Sequence, residues 1–199
     1  VADSVFVIFY DKGNDSAETG RLEMVRGEGE LRSIFSATAE GNLNGVYYTY
    51  EVHTPDGTFS SHDPYARACG VNGHRSMVID LSKTDPDGFA DEDRPKLADP
   101  MSMVITEASI ADVSAGASAH SRYPGKFKAF TEDKILSYFK DMGVTHLQLM
   151  PSYDFASIDE SDSLKEQYNW GYDPYNYNVP EGSYSTDPFN GAVRVREYK

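Results

Sequence analysis

The sequence predicts a multidomain β plus α/β protein, with a β-sandwich over residues 1–100 followed by a strand–helix–strand unit over residues 101–199. Three observations carry this. Short runs rich in β-branched and aromatic residues alternate with turn clusters through the first hundred positions, as in sandwiches. Pro95 to Pro100 then punctuate a boundary. Beyond it, one apolar strand, one amphipathic helix and a second apolar strand follow in order, the pattern of a right-handed βαβ crossover. At 199 residues the chain is long enough for one large or two small cores.

Residues 5–10, VFVIFY, are apolar at every position and suit a strand covered on both faces. Asp11-Lys12-Gly13-Asn14-Asp15 turns it. Further strands are expected at Arg21–Arg26, Leu31–Ala37, Val46–His53 and Ser76–Leu81. In the third of these, Val46, Tyr48, Tyr50 and Val52 alternate with Tyr47, Thr49, Glu51 and His53, which predicts one buried and one more polar face. In the second half, Met103–Glu107 reads as a strand, Ser109–Phe130 as a loop, and Thr131-Glu132-Asp133 as a helix start with an N-cap and two acids. Ile135, Leu136, Phe139 and Met142 share a helix face, Gly143 supplies a left-handed C-cap, and Thr145–Met150 is the next strand. Near the end, Asp187 is expected to cap a helix holding Ala192, Val193, Val195 and Tyr198.

The organising stretch is Tyr168–Phe189, YNWGYDPYNYNVPEGSYSTDPF. It packs seven aromatic residues into twenty-two positions with no Lys or Arg. Gly171, Pro174, Pro180, Gly182 and Pro188 break helix and strand periods, so a long loop displaying its rings is expected. Flat ring faces among Asn169, Asp173, Asn176 and Asn178 suit a sugar, which has C–H faces and a hydroxyl edge. Nucleic acid also stacks on aromatics but needs cations beside them, and here the neighbouring charges are Asp173, Glu181 and Asp187. The plainer reading is a rigid surface loop packed on its own side chains.

YNWGYDP at 168–174, followed by NYNVPEGSYSTDP, resembles the signature of type I pullulanases, the α-1,6-glucan debranching enzymes of glycoside hydrolase family 13. GVTHLQLMPSYDFASIDE at 143–160 looks like their second barrel strand and following loop. GVYYTYEV at 45–52 and DPYARACGVNGHRSMVIDL at 63–81 look like the end of a family 48 carbohydrate-binding module. The resemblance implies the start of a (β/α)8 TIM barrel at 101–199. It also implies that the chain is an amino-terminal fragment, its module lacking a first strand and its barrel interrupted before the third. The substrate implied is an α-glucan such as pullulan, starch or glycogen dextrins. Tyr172 is implied as the platform under the sugar at the scissile bond, with Trp170, Asn169 and Asp173 supporting it. The alternative orientation turns Tyr172 inward and makes Trp170 the platform. An isoamylase-type or other family 13 enzyme, or a noncatalytic glycan-binding fragment, are the competing functions.

By the same resemblance the catalytic carboxylates follow later barrel strands, so no catalytic residue is expected in this chain. Glu107 and Asp112 are expected to make structural hydrogen bonds. Two strands of an eight-stranded barrel leave an open edge, so the remainder of the barrel, as a separate chain, is an expected partner. No cofactor or metal is expected, because His53, His62, His74, His120 and His146 lack tight ligand spacing and the acids at 85–93 miss the frame of a calcium loop. A formal charge of −14 argues against nucleic acid and anionic membranes as partners, and no run of about eighteen apolar residues spans a bilayer. Cys69 stands alone, which rules out an intrachain disulfide, leaves the compartment open and suits a small buried hydrophobe.

Overall fold

The protein was analysed as a computed structural model that describes residues 2–93, 95–162, 165 and 167–199. Its first half holds β1 (Ser4–Tyr10), β2 (Glu18–Glu23), β3 (Val25–Arg26), β4 (Phe35–Ser36), β5 (Tyr47–Thr54), β6 (Gly57–Ser61) and β7 (Ser76–Met77). Five of these make one antiparallel sheet in the order β2-β1-β5-β6, with β7 also on β5. The apolar run at 5–10 takes the interior place its composition demands, paired on both sides, with Val5, Val7 and Ile8 buried. β3 and β4 form a separate two-stranded ribbon.

Three expected strands are shorter than their composition suggested. The run at 31–37 keeps only β4, because Gly29 takes φ +58° and opens a 3-10 turn at Gly29–Leu31. The run at 21–26 is divided at Met24, whose amide bonds Val5. The run at 76–81 ends early, since Asp80 accepts from the amide of Ser82 and caps a 3-10 helix at Leu81–Thr84.

The alternation along β5 also runs opposite to expectation. Tyr47 and Thr49 are the buried pair, while Tyr48 and Tyr50 are half-buried. Tyr47 packs against Ala68, Met77 and Val195, a cluster that includes the far end of the chain. Tyr48 and Tyr50 instead keep their hydroxyls on Asp63, at 2.7 and 3.5 Å.

The second half runs β8 (Ile105–Ala108), α1 (Ile110–Ala115), α2 (Asp133–Asp141), β9 (His146–Leu149), β10 (Tyr153–Phe155), β11 (Pro174–Pro180) and α3 (Gly191–Tyr198). β8 and β9 pair in parallel, Ile105 opposite His146 through Ala108 opposite Leu149, so the strand–helix–strand unit is formed. This two-stranded sheet is open, and Val104, Ile105 and Leu149 stay exposed along it.

The segment read as loop at 109–130 contains α1, capped by the Ser109 hydroxyl on the amide of Asp112. α2 starts two residues after Thr131, which lies in a 3-10 turn; Glu132 stands before it with its carboxylate drawn off to Ser121 and Arg122. Ile135 and Phe139 bury against Ala108, whereas Leu136 and Met142 remain exposed. Gly143 has φ +72°, as a left-handed helix terminator requires. The cap of α3 is Asn190, not Asp187, because the Asp187 carboxylate is occupied by the amide of Phe189.

The halves share apolar clusters: besides Tyr47 with Val195, Ala66 and Cys69 pack on Val179 of β11. Among the described residues no helix is long and apolar enough to cross a membrane.

Candidate functional site

The turn that carries the expected site residues is pinned from beneath. The Asn169 side-chain carbonyl accepts the amide of Gly171 at 2.8 Å, and its amide group donates to Asp173 at 2.8 Å. The other oxygen of Asp173 accepts from the Ser157 hydroxyl, and its backbone carbonyl accepts the amide of Ala156. The Ser157 and Asn169 bonds hold the Asp173 carboxyl below its usual range despite some burial. Asp173 and Asn169 thus serve as braces.

Gly171 sits at φ +86° directly over Pro151, where a Cβ would lie 2.6 Å from the Pro151 carbonyl oxygen. A side chain there meets both strain and collision, so Gly171→Ala should cost about 1–3 kcal/mol. The urea unfolding midpoint checks this, and a loss below about 0.5 kcal/mol would contradict it.

With the turn held, Trp170 and Tyr172 both point outward, 62% and 66% exposed. Their surroundings differ. Tyr172 borders an open cleft of about 670 Å³ with Glu107, Gln148, Tyr153, Tyr177 and Tyr198, and Trp170 lies outside its lining. This cleft is at the carboxyl ends of β8 and β9, where βα loops of α/β proteins hold their ligands. Tyr168 is tied back to α1 by its hydroxyl on Asp112, at 2.9 Å.

The stretch expected to be irregular contains β11, which pairs antiparallel with β10 across an irregular register. Pro174 and Pro180 are tolerated at its two ends, where no ladder donor is required. Tyr184 is also not displayed. It is buried on Phe127 and Phe155, with ring centroids 5.6 and 5.7 Å away.

The feature that sequence reasoning missed lies under this surface. Arg194 is fully buried in α3 and joins Asp154 and Glu160, each at 2.9 Å. It also donates to the carbonyls of Pro188, Pro180 and Gly70, at 2.9, 3.2 and 3.3 Å. Glu181 completes the cluster and accepts the amides of Phe155 and Ser183. Asn72 bonds Glu160 through both its backbone amide and its side chain, bringing in the turn at Val71–Gly73. The helical spacing was legible: Gly191, Arg194, Val195 and Tyr198 fall on one stripe.

Among the described residues, Asp154, Glu160 and Glu181 are the group whose oxygens, within 4.8 Å of one another, have a spacing that suits a cation. They do not fit one. Each of the six oxygens already accepts a donor, from Arg194, Asn176, Gly182, Asn72, Ser183 or Phe155, and the guanidinium supplies the positive charge. Burial, then the neighbouring Glu160 and Asp154 charges, push the Glu181 carboxyl up to about 8. Burial likewise raises Asp154 to about 6 against the pull of Arg194. Burial raises the Cys69 thiol well above its usual value, as suits an inert residue.

No protein-family model matches the chain. Pullulanase A of Streptococcus pneumoniae serotype 4 is 32% identical over all of this chain and 18% of its own length. The pullulanase of Bacillus subtilis strain 168 is 32% identical over 84% of this chain and 24% of its own. Among solved structures, Paenibacillus barengoltzii pullulanase in complex with maltohexaose and alpha-cyclodextrin superposes with a TM-score of 0.92 at 39% identity, covering 98% of this chain and 31% of that one. Spanning less than a third of each of these relatives, the chain is along its whole length a homologue of one segment of the pullulanases.

Proposed function

We propose that this chain is the glycan-facing amino-terminal segment of a hydrolase that debranches starch, glycogen dextrins or pullulan by cleaving α-1,6-glucosidic bonds with retention. On this reading residues 1–100 are the module-like β-sandwich, and residues 101–199 open the catalytic (β/α)8 barrel with β8 and β9 as its first strands. The observation that carries the proposal is the placement of Tyr172 on an aromatic cleft at the carboxyl ends of those parallel strands. The maltooligosaccharide in the similar Paenibacillus structure supports an α-glucan as ligand.

The chemistry proposed for this chain is binding and orientation. A tyrosine face stacks on the apolar face of a glucosyl unit, and its negative quadrupole favours a ring acquiring positive charge. Asn169 and Asp173 hold the turn, so the ring is fixed before substrate arrives. Retaining hydrolysis takes two carboxyl groups about 5–5.5 Å apart. We assign these to residues outside this chain: Glu181, Glu160 and Asp154 are buried, Asp112 and Asp173 are engaged in structural bonds, and Glu107 is a single carboxylate in the cleft lining, where the reaction takes a pair.

A second reading is an isoamylase-type enzyme, favoured by 28% identity over 68% of the chain to a glycogen debranching enzyme of Klebsiella pneumoniae. Incubated with pullulan, the purified 199-residue chain should release no reducing sugar. Release by a preparation whose mass matches the sequence would overturn the assignment of the carboxylates elsewhere.

A further inference from the structure

The turn that presents Tyr172 displays two further rings that the cleft does not use. Tyr168 is 58% exposed and Trp170 62%, and neither lines the Tyr172 cleft. Single exposed apolar side chains are ordinary, whereas a contiguous pair held in place marks a contact surface.

These rings are held. The Tyr168 hydroxyl donates to Oδ2 of Asp112 on α1, at 2.9 Å. The Trp170 indole N–H, which can only donate, is directed at the same hydroxyl. Asn169 between them is fixed through the amide of Gly171 and through Asp173. Both rings are thereby tied to α1 before any ligand arrives, which lowers the ordering entropy that binding must overcome.

The groups around the rings select the ligand. Asp112 is exposed, and among the described residues nothing donates to its other oxygen, Oδ1, which leaves an acceptor for a hydroxyl. Tyr168 also opens onto a cavity of about 590 Å³, and no described residue lines both that cavity and the Tyr172 cleft. In its lining Asp159, Glu160, Asp162 and Asp187 outnumber Lys126 and Lys165, so an anionic ligand is repelled. Flat apolar faces, an open carboxylate oxygen and a negative field fit an uncharged ring that carries hydroxyls.

We infer that Tyr168 and Trp170, tied to Asp112, form a second sugar platform outside the Tyr172 cleft, which takes a glucosyl unit other than the one on Tyr172. That the sugar belongs to an α-glucan rests on the debranching function proposed for the chain; that it is a neutral sugar rests on the rings and charges alone. A contact of this kind is made equally in the ground and transition states, so it raises affinity without raising turnover.

The test uses the intact enzyme that carries this segment. Trp170→Ala should raise KM for pullulan about five- to tenfold while kcat stays within about twofold, the split expected of uniform binding. Tyr168→Phe keeps its ring but removes the hydroxyl that Asp112 and Trp170 share, and should raise KM about two- to threefold. Both side chains are more than half exposed, so melting temperatures should stay within about 3 °C of the unsubstituted enzyme. Affinity electrophoresis in gels containing pullulan reads binding without catalysis, and the dissociation constant of Trp170→Ala should rise by the same factor as KM. If both constants stay within about twofold in that variant, the platform is overturned, the rings are left to a protein contact, and the debranching function stands. A fall in kcat equal to that of Tyr172→Ala would also overturn it, by placing Trp170 in the Tyr172 cleft. An unsubstituted enzyme that is retarded through Trp170 yet leaves α-1,6 bonds uncut would instead overturn the debranching function and support the platform.

Discussion

Arg194→Met should destabilise the chain by about 3–5 kcal/mol, the range seen when one member of a buried ion pair is removed. The thioether preserves much of the side-chain volume but none of the charge. Asp154 and Glu160 would then lose their buried counterion beside Glu181, and the carbonyls of Gly70, Pro180 and Pro188 would lose a buried donor. Arg194→Lys should rescue little, because a single ammonium cannot reproduce the planar fork that reaches two carboxylates and three carbonyls at once. Since whole domains are stable by only about 5–15 kcal/mol, the Met variant should melt far earlier or not fold. Urea titration followed by circular dichroism measures the difference. A loss under about 1 kcal/mol would mean that the cluster contributes little to holding the segments together.

Tyr172→Ala, made in the intact enzyme that carries this segment, should lower turnover on pullulan about 10- to 100-fold. Losing a stacked aromatic face removes about 1.5–3 kcal/mol of apolar contact, and each factor of ten in rate corresponds to about 1.4 kcal/mol. The loss should fall on kcat more than on KM, because the ring's negative face matters most once the sugar gains positive charge. Trp170→Phe is the control: outside the cleft lining, it should change turnover by less than about threefold. The reverse ranking would make Trp170 the platform.

What was legible in the sequence was what depends on local pattern. Continuous apolar runs gave β1 and the parallel pair β8 and β9, and the glycine after α2 marked its end. The display of Trp170 and Tyr172 was legible from the Gly and Pro residues that break regular periods around them, whereas the bracing by Asn169 and Asp173 came only from the family resemblance. What was not legible depends on distant partners. The inward face of β5 is decided by Val195, nearly 150 residues away, and Tyr47 rather than Tyr48 meets it. β11 was hidden because prolines at its ends and asparagines within it are poor strand formers, and pairing with β10 overrides that propensity. Glu181 reads as an ordinary loop acid, and Arg194 as a solvated helix residue, until the fold brings them together. A charge on the stripe of Gly191, Val195 and Tyr198 was the one local sign of the cluster.

On the proposed reading this segment presents the glucan to an α-1,6-cleaving site. The most direct measurement is proton NMR of pullulan during hydrolysis by the intact enzyme that contains these residues. The expected result is loss of the α-1,6 anomeric signal, retention of the α-1,4 signals, and products that appear first as the α-anomer. Loss of α-1,4 signals with the α-1,6 signal intact, or first appearance of the β-anomer, would contradict it.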